Sequence, residues 1–376
     1  MAIANSSTRI LRDRDDLILE ILSRLPVESL MRFRCVSKTW NSIILNPDLV
    51  KSHLKKSSKN PQILLLEKKI EERQCFSAVL SSLPCLIQNP TSSSAGRILR
   101  CPKPYKYLFG SCNGLLSLHC SLSTYECEEH MVCFLNPATK TCSLPSPSLR
   151  LNYGIGVQYD MNFGFGYDDW RDSYKVVAMV LDWSTHQTSV WVYCMGDVRW
   201  RLTIMTSPAF LTIDSNGYFL NGTVNWLGHS SKESKLQIFS YDLKNDTNRY
   251  LSVPELVPKD SEFNSMGILN DCLCVSFDER RTVFVVLTLK DTGDDRSWSQ
   301  LMSVSYETLN ISPYYDYLRT LCMWGDLLLL TYSQLWDDYD IIIIFNLKEN
   351  KVERTQAYYK HSLSHIFSCH YVPSLI

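Results

Sequence analysis

Hydrophobic and polar positions follow two different periods along this chain. From Asp15 to about Leu54 the apolar residues recur at helical spacing, whereas beyond Pro61 they alternate at strand spacing and are broken by Gly, Asn-Gly and Pro. The change falls in Lys55 to Pro61, a polar run without periodicity that ends in a proline no preceding helix can pass. In the first region Leu17, Ile21 and Leu25 stand at i, i+4 and i+8, with Ile18 and Leu22 beside them and Leu19 on a further flank. This predicts a helix that is apolar almost all round. Such a helix must be covered on more than one side, and a head of about 45 residues is too small to cover it alone. Pro26 ends that helix and suits the first turn of the next, Val27 to Cys35, with Leu30, Phe33 and Arg34 inward. Ser37 is placed to cap a third helix carrying Trp40, Ile43 and Ile44. Asn46-Pro47 repeats the start signal for a fourth with Leu49, Val50 and Leu54.

The second region repeats. Paired apolar runs occur at Met131 to Leu144, Ser189 to Thr203, Leu236 to Val253, Thr282 to Met302 and Asp340 to Gln356. Each has an inner partner upstream: Leu108 to His119, Tyr174 to Leu181, Tyr218 to Leu227, Met266 to Phe277 and Leu321 to Tyr332. These make five units of four short strands at a spacing of about 50 residues, with a weaker sixth between Pro61 and Leu99. Four-stranded units at this period predict a β-propeller, in which no blade is stable without its neighbours. Asn113-Gly114 and Asn221-Gly222 supply the positive backbone angles of tight hairpins, and Asn136-Pro137 and Asp168 can tie their own turns through side-chain hydrogen bonds. The expected fold class is therefore an α+β multidomain chain: a small all-α head, then an all-β propeller-like domain of about five to six four-stranded units.

The string from Asp15 to Trp40 closely resembles the F-box, in both halves and in the spacing between them. The resemblance implies docking on the Skp-type linker subunit of a cullin-RING ubiquitin ligase. It makes Leu17, Ile21, Leu22, Leu25, Pro26, Leu30, Phe33, Val36 and Trp40 the docking or local-core positions. Where the family usually has Leu-Pro before the acidic pair, this chain has Asp13-Arg14, which leaves the amino-terminal edge of the contact outside the family pattern. Further on, Gly110-Ser-Cys-Asn-Gly-Leu115, Asn136-Pro-Ala-Thr139, Phe165-Gly-Tyr-Asp168 with Tyr174-Lys-Val-Val177, and Asn221-Gly222 resemble the F-box-associated, kelch-like domain of plant F-box proteins. The double glycine of kelch repeats is absent. The implied organisation is a flexible N-terminus over 1–12, an F-box over 13–55, a linker over 56–61 and a propeller-like domain over 62–376. The implied role is a non-catalytic substrate adaptor of an SCF-type ligase in a land plant, its client unknown.

Charge sharpens this picture. Residues 1–60 hold eleven Lys and Arg against six Asp and Glu, a net +5, and the remainder holds 27 against 33, a net −6. The basic head has no aromatic stripe of the kind that accompanies nucleic-acid binding, so an acidic protein is its expected complement. The longest apolar runs, Ile341 to Phe345 and Leu327 to Leu330, reach about a quarter of the roughly 20 residues a membrane-spanning helix needs. No secretory leader opens the sequence, so its fourteen cysteines are expected to be reduced thiols in the cytoplasm or nucleus. On the same ground the glycosylation patterns at Asn5, Asn221, Asn245 and Asn310 carry no weight.

No constellation of residues supplies chemistry. Gly154-Ile-Gly156 and Gly164-Phe-Gly166 lack the third glycine of a dinucleotide loop. Cys112, Cys120, Cys127 and Cys133 with His119 and His130 lack the close cysteine pair of a structural zinc site, and Cys272 and Cys274 fall on one strand face as core. Neither a catalytic residue, a metal nor a cofactor is expected. The aromatic-rich segments Ser312 to Arg319, with Tyr314, Tyr315 and Tyr317, and Gln334 to Asp340, with Trp336 and Tyr339, are candidate client-binding loops. A free-standing scaffold, a lectin-like propeller and a self-incompatibility recognition protein remain as alternatives.

Overall fold

The computed structural model describes residues 17–58, 62–68, 76–82, 84, 87, 97–100, 104–105, 107–152, 158–206, 209–213, 216–231, 235–254, 262–294, 296–312, 316–334, 339–359 and 370–376. The expected flexible segment 1–12 lies outside them. Residues 17–22 form helix α1, followed by α2 (Val27–Phe33), α3 (Lys38–Ile44) and α4 (Pro47–Ser57). The cap signals act as read: Ser37 Oγ accepts from the Trp40 amide and Asn46 Oδ1 from that of Asp48. Helix α4 continues to Ser57, so the first residues assigned to a linker are helical. Leu22, Val27, Leu30, Ile44 and Leu49 fill the head's interior. His53 is buried there too, its Nε2 2.8 Å from the Leu25 carbonyl. Burial pushes its pKa down, opposed by that hydrogen bond, so it serves as a neutral clasp between α4 and the end of α1.

Among the described residues the rest of the chain forms six blades; four have four strands, while the second and the fourth each carry a short fifth strand, 149–152 and 210–212. Blade two spans Tyr107 to Asn152 and blade three Tyr159 to Thr206, while blade four runs from Phe210 to Ser252, blade five from Glu262 to Ser305 and blade six from Asp316 to Tyr359. Blades three and four share one continuous sheet, because their innermost strands pair in parallel, Asn216 beside Phe163 and Gly217 beside Gly164. That approach needs glycine. A Cβ on Gly164 would lie 2.2 Å from Val224 Cγ1, and one on Gly217 would lie 2.5 Å from the buried Trp226 ring.

Blade one differs from its expected form. The segment Pro61 to Leu99 contributes three strands, Gln62–Lys68, Phe76–Ser82 and Arg97–Arg100, and the fourth comes from the other end of the chain. There His370–Tyr371 pairs antiparallel with Ile63 and Gln62, and Tyr371 is buried beside blade two. This pairing closes the ring.

Because strands alternate direction within every blade, its first and third turns lie on one face of the ring and its second turn lies on the other. Side chains then lock neighbouring blades. Trp200 Nε1 donates to the Pro147 carbonyl at 2.8 Å and Trp298 Nε1 to that of Ser252 at 2.9 Å. Between blades three and four Lys175 is fully buried. Its Nζ lies 3.1 Å from Asp168 Oδ2 and 2.9 Å from Asp246 Oδ1, and it also donates to the Leu243 carbonyl. Burial alone would raise the Asp168 pKa, but the Lys175 ammonium and the amides of Arg171 and Trp170 outweigh it and hold the carboxyl below its ordinary range.

Blade two carries a second buried polar pair. His119 Nε2 lies 3.0 Å from His130 Nδ1, and the two rings stack at 5.2 Å. Burial, and then the neighbouring His130, push the pKa of His119 down to about 3, and burial lowers His130 against the pull of Glu128. The unfolded chain takes up these protons near pH 6.5 and the folded chain does not, so stability is full above pH 6.5 and falls as the pH drops toward 3. At pH 5 the loss from His119 is expected to be about 2 kcal/mol, read as a lower urea midpoint than at pH 7.5. His119→Phe, which keeps a ring against Phe163, is expected to flatten that dependence; an unchanged slope would count against this assignment.

Candidate partner-docking site

The nine head positions singled out from the sequence divide into three groups. Leu22 and Leu30 are 2% and 0% exposed and belong to the head's own core, which removes them from any docking surface. Leu25 and Trp40 are half-buried against that core. Leu17, Ile21 and Val36 stand 60%, 52% and 67% exposed, and Pro26 and Phe33 are also exposed. Helix α1 is apolar almost all round, as its spacing predicts, its one charged residue being Glu20, which pairs with Arg24 and Lys56. Leu22 serves the inner side, and Leu17 and Ile21, one turn apart, lie open on the outer one. Phe33, expected to face inward, is instead exposed and meets Trp40 in a T-shaped ring contact at 5.6 Å. Leu45 is also exposed, a position that spacing alone did not single out.

The head is partly completed by its own chain. Ala138, in the third turn of blade two, and Leu375 join its core cluster. The Asn136 side chain organises this seat: Oδ1 accepts from the amides of Ala138 and Thr139, while Nδ2 donates to the carbonyls of Ser374, at 3.1 Å, and Ile376, at 2.6 Å. Gly114, with φ +87°, lies beneath the same tail, where a Cβ would meet the Val372 carbonyl at 2.6 Å. Across the seat Lys51 of α4 reaches Asp172, in the first turn of blade three, at 3.4 Å. The sequence landmarks Asn113-Gly114 and Asn136-Pro137 thus shape the socket for the head as well as tying turns. All these contacts lie on one face of the ring, the face of the first and third turns.

Of the candidate client residues, Tyr314, Tyr315 and Trp336 fall outside the described residues. Tyr317 and Tyr339 are strand positions, not loop positions, opposite Ser333 and Tyr359 respectively. The strand ends at Gln334 and Tyr339 flank the second turn of blade six, on the face away from the head. Cys112, Cys120, Cys127, Cys133 and Cys274 are buried free thiols, and Cys272 is half-exposed. Among the described residues no group of three His, Cys, Asp or Glu side chains is placed to hold a metal ion, and no helix is long and apolar enough to cross a membrane.

A family model described as an F-box associated beta propeller domain matches residues 90–376, and an F-box domain model matches residues 15–52. The chain belongs to the F-box-associated β-propeller family. Among relatives of this family, an F-box/kelch-repeat protein of Arabidopsis thaliana is 27% identical over 307 residues, covering 77% of this chain and 78% of its own. An F-box protein of the same plant is 31% identical over 282 residues, covering 69% of this chain and 82% of its own. Among solved structures the WD40 domain of SCAP from fission yeast aligns with 75% of this chain and 63% of its own length, at 11% identity and a TM-score of 0.38. The six blades described above, not that distant likeness, establish the propeller of this family member.

Proposed function

We propose that this F-box protein is the substrate-recognition adaptor of an SCF-type cullin-RING ligase, working in the cytoplasm or nucleus, where its cysteines stay reduced. Its head docks on the Skp-type linker subunit and its propeller holds a client protein for ubiquitin transfer. The observation that carries this reading is that Leu17, Ile21, Phe33 and Val36 stay exposed on a head whose core is already completed by Ala138 and Leu375 of its own chain. Large apolar side chains left bare on a fixed helix mark a partner surface. The adaptor contributes proximity and orientation, raising the effective concentration of client near the ubiquitin donor, and performs no bond chemistry itself.

The test is a binding measurement with purified linker subunit. Leu17→Asp with Ile21→Asp changes exposed positions only, so the thermal midpoint is expected to stay near that of the wild type. Affinity is expected to fall by roughly 30-fold or more, corresponding to about 2 kcal/mol for a central anchor. Leu30→Ala is expected to behave the other way, losing about 2–5 kcal/mol of stability through a core cavity. Undiminished binding by the double variant would sink the docking assignment.

A further inference from the structure

The cleft that opens between the first and third turns of blade three, beside the head, is used by none of the functions described so far. It encloses about 480 Å³ and is lined by Arg171, Ser173, Met195, Asp197, Arg199 and Arg201, among others. Of its three guanidinium groups two are already paired, Arg201 with Asp197 at 3.9 Å among others. Arg171 and Arg201 are held from below by Asp246, at 3.7 Å and 3.4 Å, and Arg171 is braced by Asp168 at 3.8 Å. Those carboxylates in turn belong to the Lys175 cluster, so the arginines sit on a fixed base. Arg199 is exposed and makes no ion pair with a described residue. Around the mouth, Val198 is 88% exposed, Met195 and Trp170 are also bare, and the Arg171 guanidinium lies 5.8 Å from the centre of the Trp170 ring. Trp, Met and Arg are the residue types enriched where proteins bind proteins.

We infer that this cleft is a second contact for the linker subunit, receiving an acidic segment of it. The inference rests on the adaptor reading above. Two observations choose the linker over the client. The cleft opens on the face that carries the head, and Asp172, which bridges to Lys51 of α4, is adjacent in sequence to two of its lining residues, Arg171 and Ser173. The head itself carries a net +5 over residues 1–60, so a protein that complements it presents acidic surface, and the part extending past α4 meets the Arg199 guanidinium, which no carboxylate of the described residues neutralises. The exposed Val198 and Trp170 then give the contact an apolar rim, and the fixed arginines spare it the entropy of ordering long side chains.

The experiment uses the full-length chain and purified linker subunit, with affinity measured at low and at high salt. Arg199→Glu with Val198→Asp alters two exposed turn residues, so the thermal midpoint serves as the control for folding. Binding at low salt is expected to weaken by about tenfold, with a shallower dependence on salt than in the wild type. Equal affinity and equal salt dependence in wild type and variant would overturn the inference while leaving the docking of Leu17 and Ile21 intact. So would a variant that keeps the linker but loses its co-captured client proteins, since the cleft would then belong to the client. Failure of the wild type itself to bind the linker sinks the adaptor reading, and this inference with it.

Discussion

Replacing Lys175 with methionine is expected to destabilise the propeller by about 3–5 kcal/mol, the usual cost of removing one partner from a buried charge pair. The change strips the counter-charge from Asp168, which has no solvent exposure on its side chain, and from the largely covered Asp246, and it removes the donor from the Leu243 carbonyl. Asp168 cannot simply relax, since its other oxygen accepts from the amides of Trp170 and Arg171 and fixes the turn. Denaturant midpoints measure the effect. Adding Asp168→Asn, which keeps that turn but removes the stranded charge, is expected to recover part of the loss, so the double variant falls short of the sum of the singles. Strict additivity would show that the two side chains are not coupled. Because Lys175 spans two blades, unfolding is expected to remain one cooperative step at a lower midpoint.

Deleting residues 372–376 is the second large perturbation. It removes the buried Leu375 from the head's core cluster, where a comparable leucine truncation costs about 2–5 kcal/mol, and leaves the Asn136 amide without the Ser374 and Ile376 carbonyls. The propeller should survive, since Tyr371 is retained. The expected result is rapid proteolytic cleavage between Ser58 and Gln62 at a concentration that leaves the intact chain whole, with the freed propeller resistant. Leu375→Ala should give a milder form of the same pattern. Equal cleavage rates would show that the tail does not hold the head.

What could be read from the sequence is what local chemistry decides. Caps at Ser37 and Asn46 with prolines at 26 and 47 fix the helix starts whatever the head packs against, and apolar alternation between Asn-Gly and Asn-Pro turns locates five blades. Long-range partners leave no such trace. His370-Tyr371 is too short to show a period, and its role follows only from pairing with the opposite end of the chain. Helical spacing places Leu17, Ile21 and Leu22 on an apolar helix, but which side the chain itself covers depends on Ala138 and Leu375, far away in sequence. Lys175 is the sharpest case. It stood out only as part of a family landmark, because an isolated lysine in a strand gives no sign that two aspartates from different blades will meet it inside the protein.

The ring closure sets a condition on folding. Blade one is complete only once residues 370–371 are present, and the socket that steadies the helices also needs residues 374–376. A chain cut short of residue 370 therefore carries the four helices beside a ring that is not shut and a socket that is not filled. Because residues 62–63 pair with 370–371 across nearly the whole sequence, the loop that this contact closes is the longest in the ring, and its closure is expected as the late step in folding.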